Sequence, residues 1–215
     1  MSKVVNTIIE SDVALQDALG RGYGNFSAIG RMIKPRVEST MQRSVKLQSI
    51  ITAVKRAKKL QGRFFENMRG VIAKSMINVR TDVAKLSIEK TRRSLMTIRK
   101  LLADYQEEFL QVSESISAIT LIFDQKLFAE IRSLFRKEDV LEERTNLSAI
   151  IVRSPREIVE TPGCVSNFYN QVSRRQVNIE DTTSCFTDTI IVVRMEDVGT
   201  AFSALTELIS EARRQ

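Results

Sequence analysis

The stretch IVRSPREIVETPGCVSNFYNQVSRRQVNIED, residues 151–181, decides our interpretation of the fold, because an apolar run passes through a proline-punctuated loop into a helix. Proline suits the first turn of a helix, and glycine allows close approach to the backbone, so we predict a helix start at Pro162-Gly163. Backbone amides at a helix start attract carboxylates. The loop is therefore either an ordinary turn or a pocket for a small anionic molecule.

The order of predicted elements around this stretch occurs twice. Residues 80–144 are predicted to alternate as strand, helix, two strands, helix and strand, which is the ferredoxin-like βαββαβ order. The same order begins again at LSAIIVRS, and ISAITLIFDQKLFAEIRSLF aligns with TDTIIVVRMEDVGTAFSALTELI. The sequence thus predicts an internal repeat of about 65–70 residues.

The second copy lacks its last strand. An incomplete sheet would leave an open edge, and the strand-like VIAKSMINV, residues 71–79, precedes the first copy. We therefore predict a first copy over 71–144 and a second over 146–215, with 71–79 completing the sheet of the second copy.

The N-terminal third is predicted to be helical over residues 1–63. Its predicted helices are Ser11–Leu19, capped by Ser11 or Asp12, a second from a cap at Asn25 or Ser27 to Pro35, and a third over 45–60. Residues 61–70 are interpreted as a linker or helix end. Three short helices, the last basic and amphipathic, favour a helix-turn-helix-like domain.

The net charge of +7 is concentrated in this domain. Residues 1–63 hold 12 basic and 4 acidic side chains, 12 − 4 = +8, which leaves 21 − 22 = −1 for the remainder. This asymmetry favours a polyanion such as double-stranded DNA over a merely solvated basic face. The residues predicted to contact base edges are Gln48, Thr52, Lys55 and Arg56, and those predicted to contact the backbone are Arg31, Lys34, Arg43, Lys46, Lys58 and Lys59.

Composition disfavours an enzyme. The chain has no histidine, which removes the usual general base and the commonest metal ligand, and its 2 cysteines have no metal-ligand spacing. No cofactor or metal is predicted. The absence of a long apolar run or signal pattern predicts a soluble, cytoplasmic protein without membrane contact.

The stretch AIIVRSPREIVETPGCVSNFYNQVSRRQVNIEDTTSCFTDTIIVV resembles an ACT domain of the type found at the C-terminus of aspartokinases. The resemblance is strong over 147–210 and weak over 80–144. The layout also looks like small archaeal proteins that join an N-terminal helix-turn-helix, here GNFSAIGRMIKPRVE, to two ACT copies. The fold class we expect is α+β, with a helical domain followed by two ferredoxin-like ACT copies.

The resemblance implies binding of an amino acid or similar metabolite at an interface between paired copies. The matching positions are Ser154, Thr161, Pro162, Gly163, Cys164, Val165, Asn178 and Ile179. The first copy departs from the pattern, since Arg92 and Arg93 replace the Pro-Gly pair. That copy is either a structural partner only or a site where the arginines reach an anion.

Cys164 has two interpretations. Thiol pKa values tend to fall at a helix start, which would suit a redox sensor. The other interpretation is a small buried side chain.

Two functions follow from the resemblance and the charge. The first is a ligand-responsive, DNA-binding transcription regulator, in which ACT copies pair into a homodimer or tetramer. The alternative is a free-standing ACT regulatory subunit that binds a metabolic enzyme rather than DNA.

Overall fold

A computed structural model describes residues 1–214, apart from the side chains at positions 59–61, 63 and 64. The chain divides into two compact units, Met1–Gly70 and a second that begins at Val71. Within the described residues, no helix is both long and apolar enough to cross a membrane.

The first unit is built from helices. Its described residues form four, α1 (Ser2–Glu10), α2 (Val13–Gly20), α3 (Phe26–Met41) and α4 (Leu47–Ala73), the last of which continues past the unit boundary. The side chain of Asp12 caps α2 by accepting hydrogen bonds from two amides, and Asn25 caps α3 in the same way. The sequence analysis missed α1, whose Val5 and Ile9 are fully buried in the core of this unit.

The predicted helix end at Pro35 is wrong, because Pro35 lies inside α3. Its ring is exposed, while Ile33 and Val37 on either side are buried in the core. Proline removes one backbone hydrogen bond. Burial of the two flanking apolar side chains outweighs that loss, so the helix continues to Met41.

The predicted linker over 61–70 is also wrong, because these residues belong to α4. Met68, Val71 and Ile72 are buried at helical spacing, which stabilises the helix to Ala73. Glycines such as Gly62 and Gly70 cost about 1 kcal/mol each inside a helix, and that is too little to end one with a buried face.

The turn between α3 and α4 is held by packing and by one carboxylate. A Cβ added at Gly30 would lie 2.9 Å from Cγ1 of Ile51, so glycine allows the two helices to approach closely. The carboxylate of Glu38 accepts a hydrogen bond from the Val45 amide at 2.8 Å and pairs with Lys34 at 3.0 Å. These two contacts lower the pKa of Glu38 and fix where α4 begins.

The second unit combines a sheet with helices. In the described residues its strands are β1 (Met76–Glu89), β2 (Leu110–Glu114), β3 (Ala118–Asp124), β4 (Val140–Arg153), β5 (Asp181–Cys185) and β6 (Asp188–Arg194). Its helices are α5 (Arg92–Asp104), α6 (Phe128–Ser133), α7 (Cys164–Arg174) and α8 (Val198–Arg214). The strands pair in the order β2-β3-β1-β4-β6-β5, and every pair is antiparallel.

Strands β1 and β4 each serve two halves of this sheet. In the first half, Val83–Glu89 of β1 pairs with β3 and with the beginning of β4. In the second half, the end of β4 pairs with β6 on one side and with Met76–Arg80 on the other. The beginning of β1 therefore supplies the fourth strand of the second half, over part of the segment 71–79.

The predicted break between two strands at residue 145 is wrong, because β4 runs through it. Asn146 has a φ of 57° and Asp82 a φ of 54°, and the β1–β4 register shifts near both. Asn and Asp tolerate this left-handed conformation better than other non-glycine residues. A bulge at RTD (80–82) and RTN (144–146) thus carries each strand from one half into the other.

The strands are covered on both faces. Val83–Ile88 are all buried, as expected for strands between two layers. Helices α5 and α6 cover one face of the first half, where Leu86 and Phe123 are buried. On the other face a cluster joins the two halves through residues that include Ile122 and Val192. The hydroxyl oxygen of Ser113 on β2 lies 3.2 Å from that of Thr183 on β5, so the two edge strands are also in contact.

Candidate ligand site

The Pro-Gly loop connects β4 to α7. Ser154 is buried, its hydroxyl lies 2.9 Å from that of Ser75, and its amide donates to the Thr187 carbonyl at 3.0 Å. The Thr161 hydroxyl donates to the Glu157 carbonyl at 2.7 Å. The first five predicted site residues, Ser154 and 161–164, therefore lie in one ordered segment that ends at the start of α7.

Gly163 is the residue before α7, with a φ of 90°. Side chains other than glycine are strained in this conformation, which explains the glycine. Among the described residues no side chain caps α7, and Val165 and the exposed Ser166 form the first turn behind Gly163. The first amides of a helix have no partner within it and carry a partial positive charge, so this end can accept an anion.

The Cys164 thiol is buried, with a relative exposure of 1%. Burial raises its pKa to about 11, which is opposite to the lowering expected for a redox-sensitive thiol. A thiol that stays protonated reacts slowly with oxidants. The structure therefore favours a small buried side chain at this position.

Asn178 and Ile179 lie beyond the other end of α7. The 11 residues of this helix span about 16 Å at 1.5 Å per residue. Asn178 donates to the carboxylate of Glu180 at 3.1 Å, close to the end of β6, whereas Gly163 follows the opposite end of β4. Within one chain, the structure does not bring Asn178 and Ile179 together with the Pro-Gly loop.

The first half differs at the matching helix start. Thr91 caps α5 by accepting a hydrogen bond from the Ser94 amide at 3.1 Å. Arg92 and Arg93 are exposed and line a surface depression with residues of the same helix. A capped start leaves fewer amides for a ligand than the uncapped start of α7.

Sequence reasoning missed the charged groups around Lys85, a lysine only 8% exposed. Its Nζ lies 3.0 Å from Glu142 and 3.4 Å from Asp181, and donates to the Glu180 carbonyl at 3.1 Å. Burial alone would lower its pKa, but Glu142 and Asp181 outweigh burial and raise it. Lys85 therefore links the two halves as a charged side chain, and the alternating pattern of β1 was its only signal in the sequence.

The predicted nucleic-acid residues lie on helices of the first unit. Gln48, Thr52, Lys55 and Arg56 are exposed and share one face of α4 at helical spacing. The ammonium groups of Lys55 and Lys58 lie 6.0 and 5.6 Å from the ring centre of Phe26. Among the other predicted residues, Lys34 pairs with Glu38. The side chains of Arg31, Arg43 and Lys46 are exposed, and the side chain of Lys59 lies outside the described residues.

Comparison with solved structures identifies the fold. The regulatory subunit of aspartate kinase from Thermus thermophilus matches with a TM-score of 0.51 and 11% identity over 61% of this chain and 95% of that one. The same subunit from Thermus flavus matches with a TM-score of 0.52 and 11% identity, over 61% and 95%. Aspartate kinase from Synechocystis matches with a TM-score of 0.53 and 12% identity, over 64% of this chain but only 27% of the enzyme.

No protein-family model matches the sequence, and no curated protein matches it. The chain spans about a third, 34%, of the aspartate kinase of Clostridium acetobutylicum, which matches at 16% identity with a TM-score of 0.50. The predicted ACT-type fold is thus confirmed at the level of architecture. The matching part of this chain has the fold of aspartate kinase regulatory domains.

Proposed function

We propose that this protein is a regulator that senses an amino acid through its second unit. The observation that carries the proposal is the fold shared with regulatory subunits of aspartate kinase. The match covers 95% of the length of each of these subunits. The two Thermus proteins are regulatory subunits and not catalytic ones, which agrees with a role other than catalysis. The uncapped start of α7 behind Gly163 supports a site for the carboxylate of the effector.

The effector site is completed by a second copy of the chain. One chain offers the α7 start and the segment 161–165, while Asn178 and Ile179 lie about 16 Å away at the other end of the helix. Pairing of two chains would place residues 178–179 of one copy near α7 of the other. The proposal therefore includes a homo-oligomer whose interface holds the ligand.

Amino-acid binding is tested by thermal unfolding of the full chain against each of the twenty amino acids at millimolar concentration. A ligand at a hundred times its dissociation constant stabilises the folded state by about 2.7 kcal/mol. One or a few amino acids should raise the unfolding midpoint, and Gly163→Ala should reduce that shift. Gly199→Ala in α8 is the matched control, because nothing lies within 4 Å of the added methyl group. A panel without any shift would contradict the sensing function.

We further propose that the first unit binds double-stranded DNA. The support is the exposed face of α4, where Gln48, Lys55 and Arg56 lie together in a unit with an excess of positive charge. Neutralising phosphates releases counterions, so binding to DNA weakens with salt. The effector would act by changing how two such units are spaced in the oligomer, and coupling of this kind typically amounts to about 1–3 kcal/mol.

Duplex binding is measured by fluorescence anisotropy at 50 and 200 mM salt. With about four phosphate contacts, affinity should fall about a hundredfold over this range. Arg56→Ala should weaken binding, whereas Lys3→Ala removes another exposed charge, from α1, and should change binding little. The absence of salt-dependent binding would favour the alternative, in which this unit binds an enzyme.

A further inference from the structure

A cavity of about 460 Å³ opens at the end of the second half that adjoins the first. It lies where β4 bulges at Asn146 and where β6 ends at Arg194, and its charged lining residues are Arg144, Glu180, Arg194 and Glu196. None of the residues 154–165 lines it. The cavity is therefore separate from the start of α7.

Glu180 is a buried carboxylate held in place from several sides. Its side chain is only 9% exposed, its amide donates to the Val192 carbonyl at 2.8 Å, and its own carbonyl accepts from Lys85. Oxygen Oε1 accepts from Asn178 at 3.1 Å and from Arg194 at 3.0 Å. Among the described residues no hydrogen bond reaches Oε2, so one oxygen of a lining carboxylate is left for another donor.

Glu180 is ionised at neutral pH. Burial alone would raise its pKa, but hydrogen bonds from Asn178 and Arg194, with the charges of Arg194 and Arg144, outweigh burial and lower it. Oε2 is accessible from the cavity rather than fully buried, because the Thr189 hydroxyl is the one buried side-chain polar atom without a hydrogen bond among the described residues. A cationic hydrogen-bond donor in the cavity could therefore reach Oε2.

In the first half, an ion pair occupies the position equivalent to this cavity. Asp124 is the last residue of β3 and pairs with Val83. Arg194 holds the equivalent position in the second half, as the last residue of β6, and pairs with Leu147. Arg80 donates to both oxygens of Asp124 at 2.5 Å, and its guanidinium lies 5.0 Å from the ring centre of Phe109. Arg144 occupies in RTN the place of Arg80 in RTD.

The second half therefore has an arginine where the first half has the aspartate that pairs with Arg80. Arg144 pairs instead with Glu142 at 3.1 Å and remains 52% exposed. Arg194 pairs with Glu180 at 3.0 Å and with Glu196 at 3.7 Å, and it remains 54% exposed. Two guanidinium groups line one cavity with a buried carboxylate. Guanidinium groups bind carboxylates in a two-pronged geometry, so the cavity offers an anion site beside a cation site.

We propose that this cavity binds a free α-amino acid as a zwitterion, with the ammonium group on Oε2 of Glu180 and the carboxylate between Arg144 and Arg194. The proposal rests on the amino-acid-sensing function and adds a second site, which lies within one chain and away from α7. Asn178 acts here as a positioning residue that orients Glu180. A ligand at this position would contact the bulge of β4, the strand shared by both halves.

The test is isothermal titration calorimetry on the full chain with the twenty amino acids, followed by variants with the amino acid that binds. Glu180→Gln keeps the shape but removes the charge that holds the ammonium group, so affinity should fall about tenfold or more. Arg144→Gln should cause a similar loss, and its exposed side chain makes misfolding a weak explanation. Glu143→Gln is the matched control, because this exposed neighbour on β4 pairs with Arg132 and does not line the cavity.

The outcomes separate the site from the function. Loss of binding in Glu180→Gln and Arg144→Gln, with normal binding in Glu143→Gln, supports the cavity. Loss in Gly163→Ala alone overturns the cavity and leaves amino-acid sensing standing at α7. No heat with any amino acid on the unaltered protein overturns both.

Discussion

The two halves of the second unit share a strand order but differ at both ends of their sheets. In the first half Thr91 caps α5, and Arg80 pairs with the buried Asp124. In the second half Gly163 leaves α7 uncapped, and Arg194 replaces the aspartate. In the second half Arg194 pairs with Glu180 and Arg144 with Glu142, and both guanidinium groups remain about half exposed. The fold therefore tolerates either chemistry at the ends of its strands and helices.

The largest expected effect tests the closed end of the first half. Arg80→Ala should destabilise the protein by about 2–3 kcal/mol, because it leaves the buried Asp124 without its two hydrogen bonds. Arg144→Ala, at the matching position, should cost about 0.5 kcal/mol, as is usual for an exposed ion pair. Urea unfolding of both variants measures the difference. Equal losses would show that the two ends are not energetically distinct.

The next effect concerns the link between the halves. Lys85→Met should cost about 2 kcal/mol, since Glu142 and Asp181 lose their common partner while both remain partly exposed. The pKa of Lys85 is raised above its ordinary value of 10.5, so its contribution is complete below that pH and is lost as the pH rises through the higher folded-state pKa.

Unfolding free energies at pH 8 and near pH 11.5 check this dependence. The gap between Lys85→Met and the unaltered protein should be widest at pH 8 and should narrow in the alkaline range. A gap that is the same at both pH values would mean that packing of the lysine stem, and not its charge, links the halves.

Periodicity predicted most elements of the second unit. The apolar runs ITLIFD and IIVVR and the helical spacing in RRSLMTIRKLLAD appear as β3, β6 and α5. These signals are local, and they follow directly from which side chains face a core. A helix start near Pro162-Gly163 was also visible, but α7 begins at Cys164, so Pro162 lies before the helix and not in its first turn as predicted.

The bulges and the cavity could not be predicted in that way. Asn146 interrupts an apolar run, so the sequence indicated the end of a strand, while the structure uses its left-handed conformation to continue β4. Arg194 can be recognised as the counterpart of Asp124 only from the strand register, which places it opposite Leu147. Such features depend on pairing between distant segments, for which composition and spacing carry no signal.

A smaller effect is expected at the open start of α7. Gly163→Ala should destabilise the protein by about 1.5 kcal/mol, because alanine is strained at a φ of 90°. Gly199→Ala, inside α8 with free space around it, should stabilise by about 0.5 kcal/mol. Thermal unfolding without ligand measures both, and a neutral Gly163→Ala variant would show that the loop relaxes and that its glycine serves close approach of a ligand instead.

The smallest effect compares the two helix starts directly. Thr91→Ala should cost about 1 kcal/mol, because the Ser94 amide loses its acceptor. Thr161→Ala removes a hydroxyl that donates to the Glu157 carbonyl and caps no amide of α7, so it should cost clearly less, about 0.5 kcal/mol. Urea unfolding without ligand gives the two values. If Thr161→Ala lowers the unfolding free energy as much as Thr91→Ala, the loop before α7 stabilises the fold as strongly as the cap of α5. That result would speak against a ligand site at the start of α7. If Thr161→Ala lowers stability only slightly but weakens amino-acid binding, the loop before α7 serves ligand binding.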